Sequence, residues 1–145
     1  MNQCNPWRKP KNGFATVLAY SNEVSVTRST ITFKKAPETV IGSYGYFHVR
    51  VSTQTYEMGY EIHPQHWRKG LMTEALTAML EYSFGDATPQ PVHRFEALVD
   101  SKNVASIRLL EKFGFQNEGL RREFGFWKGK FQDVILFALL SDEWG

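Results

Sequence analysis

From Ser29 onward the apolar positions follow two successive periods. Thr30-Ile31-Thr32-Phe33 and Val40 to Phe47 have the β-branched and aromatic composition of strands, and predict an antiparallel pair joined through Ala36-Pro37-Glu38. Thr55 to Ile62 predicts another strand, with Glu57, Gly59 and Glu61 on one face and Met58, Tyr60 and Ile62 on the other. Helical spacing then takes over. Met72, Ala75, Leu76, Met79 and Leu80 recur at intervals of three and four, predicting a helix that ends near Gly85. A short strand is expected over Phe95 to Val99. Asn103 is a good helix cap, and Val104, Ile107, Leu110 and Phe113 form an apolar stripe behind it. Gly114 closes that helix, and Phe115 is placed to pack back on its last turn. Arg121 to Trp127 and Asp133 to Leu139 predict two final strands around Lys128-Gly129-Lys130. Strands, helix, strand, helix, strands is the order of an α/β or α+β domain.

Ahead of this pattern, residues 1–28 are punctuated by Pro6, Pro10 and Gly13, and only Phe14 to Tyr20 suits a short strand or helical turn. They predict a partly mobile arm before a domain spanning residues 29–145. Charge divides at nearly the same place. The 145 residues carry a net charge of +2, but the first 35 hold six bases and one acid, and the remainder eleven bases and fourteen acids. A basic arm thus precedes a mildly acidic body, and the arm's aromatics Trp7, Phe14 and Tyr20 are not interleaved with its bases as a nucleic-acid stacking platform requires. Nucleic-acid binding is therefore not expected. The lone Cys4 cannot form an internal disulfide, no secretion signal opens the chain, and no apolar run reaches membrane-spanning length. A cytoplasmic protein with no membrane partner is expected.

The chemically informative stretch is Gln65-His66-Trp67-Arg68-Lys69-Gly70-Leu71-Met72-Thr73-Glu74-Ala75, between a strand and a helix. The first-turn amides of a helix have no intrahelical partner and the helix dipole is positive there, so a loop at that point can cradle a phosphate. Gly70 permits close approach, and Arg68 and Lys69 add positive charge. Neither a G-x-x-x-x-G-K-[ST] loop nor a G-x-G-x-x-G turn after a strand occurs, which excludes the two commonest nucleotide loops. His63 and His66 lack a third ligand at a suitable spacing, so no metal is expected.

The run from Met58-Gly59-Tyr60 through Trp67-Arg68-Lys69-Gly70 and Thr73-Glu74-Ala75 resembles the acetyl-CoA signature of the GNAT acetyltransferases. The run from Asn103 to Phe115 is similar to the other GNAT helix with its Gly-Phe ending. With Glu118-Gly119 and Gly129 to Val134 downstream, the likeness covers Ser29 to Trp144 and points to the RimJ/RimL-like branch. It implies a central twisted, mixed, mostly antiparallel sheet flanked by helices. Acetyl-CoA would be the co-substrate, with no metal, and the acceptor a primary amine on a protein N-terminus or small molecule. The strand ending Tyr60-Glu61-Ile62 would splay from its neighbour and offer backbone groups to the pantetheine. The amides of Trp67, Arg68, Lys69, Gly70, Leu71, Met72 and Thr73 would hold the pyrophosphate, and Asn103 and Ser106 would reach the pantetheine and the thioester sulfur.

An amine arrives as ammonium, so a group must accept a proton before nitrogen attacks, and the departing thiolate must be stabilised. Glu57, Glu61 and Glu123 are the candidate bases, and Ser106 the candidate partner of the sulfur. Three departures from the family stand out. Leu110 occupies the place of a tyrosine, Met72 that of a small residue, and the strand and two helices that usually begin the fold are reduced to the arm. The acceptor half is therefore short, which leaves three readings open: a partner chain, as in a homodimer, that completes the site, an unusually open site, or a CoA-binding module with little turnover. Plainer roles stand beside these, with Glu57, Glu61 and Glu123 as solvated charges and Ser106 as a helix-surface hydroxyl. Phe124, Phe126, Trp127 and Phe131 suit core and strand pairing, or alternatively the lining of an acceptor pocket.

Overall fold

The computed structural model describes residues 14–20, 27–86 and 90–145. Seven strands form one sheet: β1 (Phe14–Tyr20), β2 (Thr27–Phe33), β3 (Ala36–Arg50), β4 (Thr55–Ile62), β5 (Arg94–Asp100), β6 (Gln116–Trp127) and β7 (Lys130–Leu140). Their spatial order is β1-β2-β3-β4-β5-β7-β6. Every neighbouring pair is antiparallel except β4 and β5. A parallel pair requires a crossover, which helix α1 (Leu71–Ser83) supplies. Helix α2 (Val104–Lys112) connects β5 to β6.

The turn between β2 and β3 falls at Lys34-Lys35, and Ala36, Pro37 and Glu38 already belong to β3 rather than to the turn. Pro37 fits there because it lies at the start of a strand, before the main ladder. The last hairpin turns at Lys128-Gly129, both with positive φ, as a two-residue primed turn demands. Phe14–Tyr20 is a strand, and only residues 21–26 separate it from β2, too few for two helices. The remainder of the expected arm lies outside the described residues.

The core lies between the sheet and the two helices. Leu76, Met79 and Leu80 from α1, Leu110 from α2 and Phe95, Phe137 and Leu139 from the sheet are wholly enclosed. Each such side chain contributes about 1.5–3 kcal/mol through burial. Met72 also turns into this core, so its bulk stays out of the loop before α1. At the end of α2, Gly114 takes a left-handed φ of +90° and the Phe115 amide donates to the Leu110 carbonyl across 3.0 Å. Phe115 is buried as expected. Val104 is not. It is 54% exposed, because it opens the first turn of α2, ahead of the buried Leu110.

The expectation that Phe124, Phe126 and Phe131 are core is also corrected: all three are more than half exposed. They lie on β6 and the start of β7, at the sheet's outer edge. Strand pairing does hold there, with Phe126 and Phe131 opposite each other and their rings packed edge-on at 5.1 Å.

Candidate active site

β4 and β5 begin as neighbours and then part. Their ladder runs from Thr55 opposite Arg94 to Met58 opposite Ala97, and goes no further. β4 continues to Ile62 paired only with β3, and β5 to Asp100 paired only with β7. Gly59 to Ile62 therefore present a strand edge inside the sheet. This is the splay that the sequence resemblance implied.

Chain continuity carries that edge to the start of α1. A short 3-10 turn, Pro64–His66, follows β4. The indole N–H of Trp67 donates to the Ile62 carbonyl across 2.8 Å, which fixes the loop to the strand end. Arg68 and Gly70 both have positive φ, and Gly70 caps α1 without a side-chain hydrogen bond. The Glu74 amide takes the Gly70 carbonyl, so the amides of Leu71, Met72 and Thr73 are the ones without an intrahelical acceptor. Arg68 and Lys69 are exposed beside them. A Cβ placed on Gly70 would meet nothing within 4 Å, so its requirement is conformational, not steric.

On the other side, Asn103 Oδ1 accepts the Ser106 amide at 3.1 Å and caps α2. Ser106 Oγ lies 2.5 Å from the phenol oxygen of Tyr60. This contact joins α2 to the open stretch of β4. Burial raises the Tyr60 phenol above its ordinary value, an effect that the Ser106 hydrogen bond partly offsets. The sequence assigned Tyr60 a backbone role only. Its alternation with Met58 and Ile62 was the signal that its side chain faces the helices.

The three carboxylates occupy different places. Glu57 lies opposite Glu96 in the closed part of the ladder and accepts from His48 at 2.8 Å. Glu61 lies in the open stretch, where Ser43 Oγ donates to it across 3.0 Å. Ser43, Gly45, Phe47, Gly59 and Glu61 line part of a hollow of about 200 Å³. Glu123 is exposed on an irregular part of β6, and its amide donates to Asp133 Oδ1 at 2.7 Å. His63 accepts the Gln65 amide and His66 packs against Phe33. Among the described residues no cluster of three metal-ligating side chains occurs, and no helix is long and apolar enough to cross a membrane.

Comparison with known proteins identifies the family to which this sheet order, internal opening and glycine-capped helix belong. The acetyltransferase (GNAT) domain pattern matches residues 2–116. The chain is 36% identical to the uncharacterized N-acetyltransferase p20 of Bacillus licheniformis, over 86% of this chain and 67% of that protein. It is 35% identical to the [ribosomal protein uS5]-alanine N-acetyltransferase of Escherichia coli, over 66% of this chain and 48% of that enzyme. In fold it is similar to the spermidine/spermine N-acetyltransferase SpeG of Vibrio cholerae, with a TM-score of 0.73 at 24% identity, over 83% of this chain and 68% of that one. The chain belongs to the GNAT acetyltransferase family. It spans about half to two-thirds of the length of these curated relatives.

Proposed function

We propose that the chain is an acetyl-CoA-dependent N-acetyltransferase that moves an acetyl group to a primary amine by direct attack in a ternary complex. The observation that carries this reading is the edge of Gly59 to Ile62 that β5 leaves unpaired, with the Ile62 carbonyl taken by the Trp67 indole, continuous through that anchor with the uncapped amides that open α1. A strand edge suits the amide groups of a pantetheine, and free helix-start amides beside Arg68 and Lys69 suit a pyrophosphate. Tyr60 and Ile62 supply the edge. Trp67, Arg68, Lys69, Gly70, Leu71, Met72 and Thr73 supply the cradle, with Asn103 and Ser106 on the facing helix. When bound, acetyl-CoA supplies an activated acyl carbon and a thiol leaving group.

Ser106 stands at the opening and is the group assigned to the sulfur. Of the candidate bases, Glu61 has the strongest topological support, because it lies where the ladder is open, while Glu57 is engaged by His48 within the closed ladder. Glu123 has the least support, because it lies on β6 at the outer edge of the sheet, beyond β5 and β7. The acceptor class is a protein N-terminus or a small-molecule amine, in keeping with the alanine and spermidine acetyltransferases among the relatives.

Six residues between β1 and β2 favour a second reading, a CoA-binding module with an abbreviated acceptor side. Calorimetric titration with acetyl-CoA, followed by thiol release with alanyl peptides and polyamines, separates the two. Binding with thiol release supports the enzyme. Binding alone supports the module, and no binding defeats both.

A further inference from the structure

Leu110 is fully buried where a tyrosine was expected, so that helix offers no phenol to a leaving group. A phenol reaches the opening from the facing strand instead. Tyr60 lies two positions beyond Met58, the last β4 residue paired with β5, and its oxygen is 2.5 Å from Ser106 Oγ. Two hydroxyls hold two protons, and the bond between them uses one. Among the described residues nothing accepts the other, so a surplus O–H stands at the point where the sheet opens. Burial keeps the phenol protonated at neutral pH.

We infer that Tyr60 and Ser106 form a two-hydroxyl relay directed at the sulfur of bound CoA, with Ser106 facing the sulfur and Tyr60 as the positioning residue behind it. The inference rests on the acetyltransferase reading. During transfer the amine lone pair forms the N–C bond, and the C–S bond breaks with its electron pair left on sulfur. Ser106 gives its proton to that sulfur and takes the proton of Tyr60. The acceptor, which arrives as ammonium, loses one proton before its nitrogen attacks and a second on becoming an amide. One restores the phenol through solvent and the other is the net proton released.

The test needs no acceptor. Dissociation constants of CoA and of acetyl-CoA are measured with the full chain between about pH 7 and pH 9.5, across the ordinary thiol value of about 8.5. A hydroxyl donor at the sulfur favours the thiolate, so CoA should gain on acetyl-CoA as pH rises, about tenfold for each pH unit by which its thiol is lowered. The charges of Glu61, Arg68 and Lys69 act on a thiolate in the native chain and in the variants alike, so the comparison between them isolates the hydroxyls. The affinity ratio should rise at least about threefold in the native chain, rise less in Tyr60→Phe, where Ser106 loses its positioning partner, and stay flat in Ser106→Ala, with Ser106→Thr keeping part of the rise. Should Tyr60→Phe fail to fold, the half-buried Ser106→Ala decides alone. A flat ratio in the native chain, or an unchanged rise in the folded variants, overturns the relay. If the native chain binds neither ligand, the acetyltransferase reading falls and the relay falls with it.

Discussion

The indole of Trp67 donates to the carbonyl of Ile62 across 2.8 Å, and so the loop ahead of α1 is held by the end of the strand that borders the opening. Trp67 is itself 59% exposed, so its packing adds little to the core. Trp67→Phe should therefore separate the two roles. The lost hydrogen bond should cost about 0.5–1.5 kcal/mol of stability. Acetyl-CoA affinity should fall as well, because the loop ahead of α1 is released from the strand end. Calorimetry and a melting curve on the same sample check both, and unchanged affinity would show that the anchor does not shape the cradle.

Gly70 holds φ at +74°, a conformation in which a side chain costs about 1–2 kcal/mol. Gly70→Ala should lower stability by about that amount even though its Cβ meets no atom. Gly70→Val adds bulk where the anion is expected, and its acetyl-CoA affinity should fall much further than its stability. Denaturant melts paired with titrations test the difference. Equal losses in stability and affinity would make Gly70 a fold residue only.

In the core, Tyr46 and Ser83 share a hydrogen bond of 2.6 Å between β3 and α1. Burial drives the Tyr46 phenol far above its ordinary value. Ser83→Ala leaves that hydroxyl without its partner and should cost about 1–3 kcal/mol. Adding Tyr46→Phe removes the orphaned group, so the double variant should recover part of the loss. Equilibrium unfolding of the three variants measures this directly, and strictly additive losses would contradict it.

At the far edge, Arg94 holds Glu118 in a two-pronged pair at 2.9 and 2.6 Å and also contacts Glu96. The Arg94 hydrogen bonds keep the Glu118 carboxyl below its ordinary value. A lowered folded-state value adds stability above the unfolded-state value, about 4.3, and that stability is lost as pH falls through the folded-state value. Glu118→Gln should thus melt below the native chain at neutral pH, and the gap should close as pH falls through the folded-state value. The gap should be small, because the pair is partly exposed and solvent screens it. A gap that does not narrow as pH falls would assign the effect to packing.

Local rules account for most of what was legible beforehand. The alternation over Thr55–Ile62, the stripe of α1, the Asn103 cap and the Gly114 ending all have causes within one turn or one strand, and all appear in the structure. Where tertiary context decides, local signals mislead. Phe124, Phe126 and Phe131 have strand chemistry, but nothing in their own periodicity reveals that β6 lies at the edge of the sheet. The turn was displaced to Lys34-Lys35 because Pro37 is a turn signal that a strand start tolerates equally well. The Tyr60–Ser106 contact spans 46 positions, beyond any motif. The splay of β4 from β5 came only through family resemblance, since a pattern of faces does not say where a ladder ends.

Strand edges are usually a hazard, because an unpaired row of N–H and C=O groups will accept any passing chain. The edge at Gly59 to Ile62 differs in its location. It is enclosed by the sheet's own continuation, with β3 behind it and β5 and α2 opposite. A neighbouring chain that paired with this edge would have to enter between β4 and β5 rather than add to an outer strand of the sheet. The fold thus moves an unpaired strand segment away from the sheet's periphery, where passing chains pair most readily, into its interior.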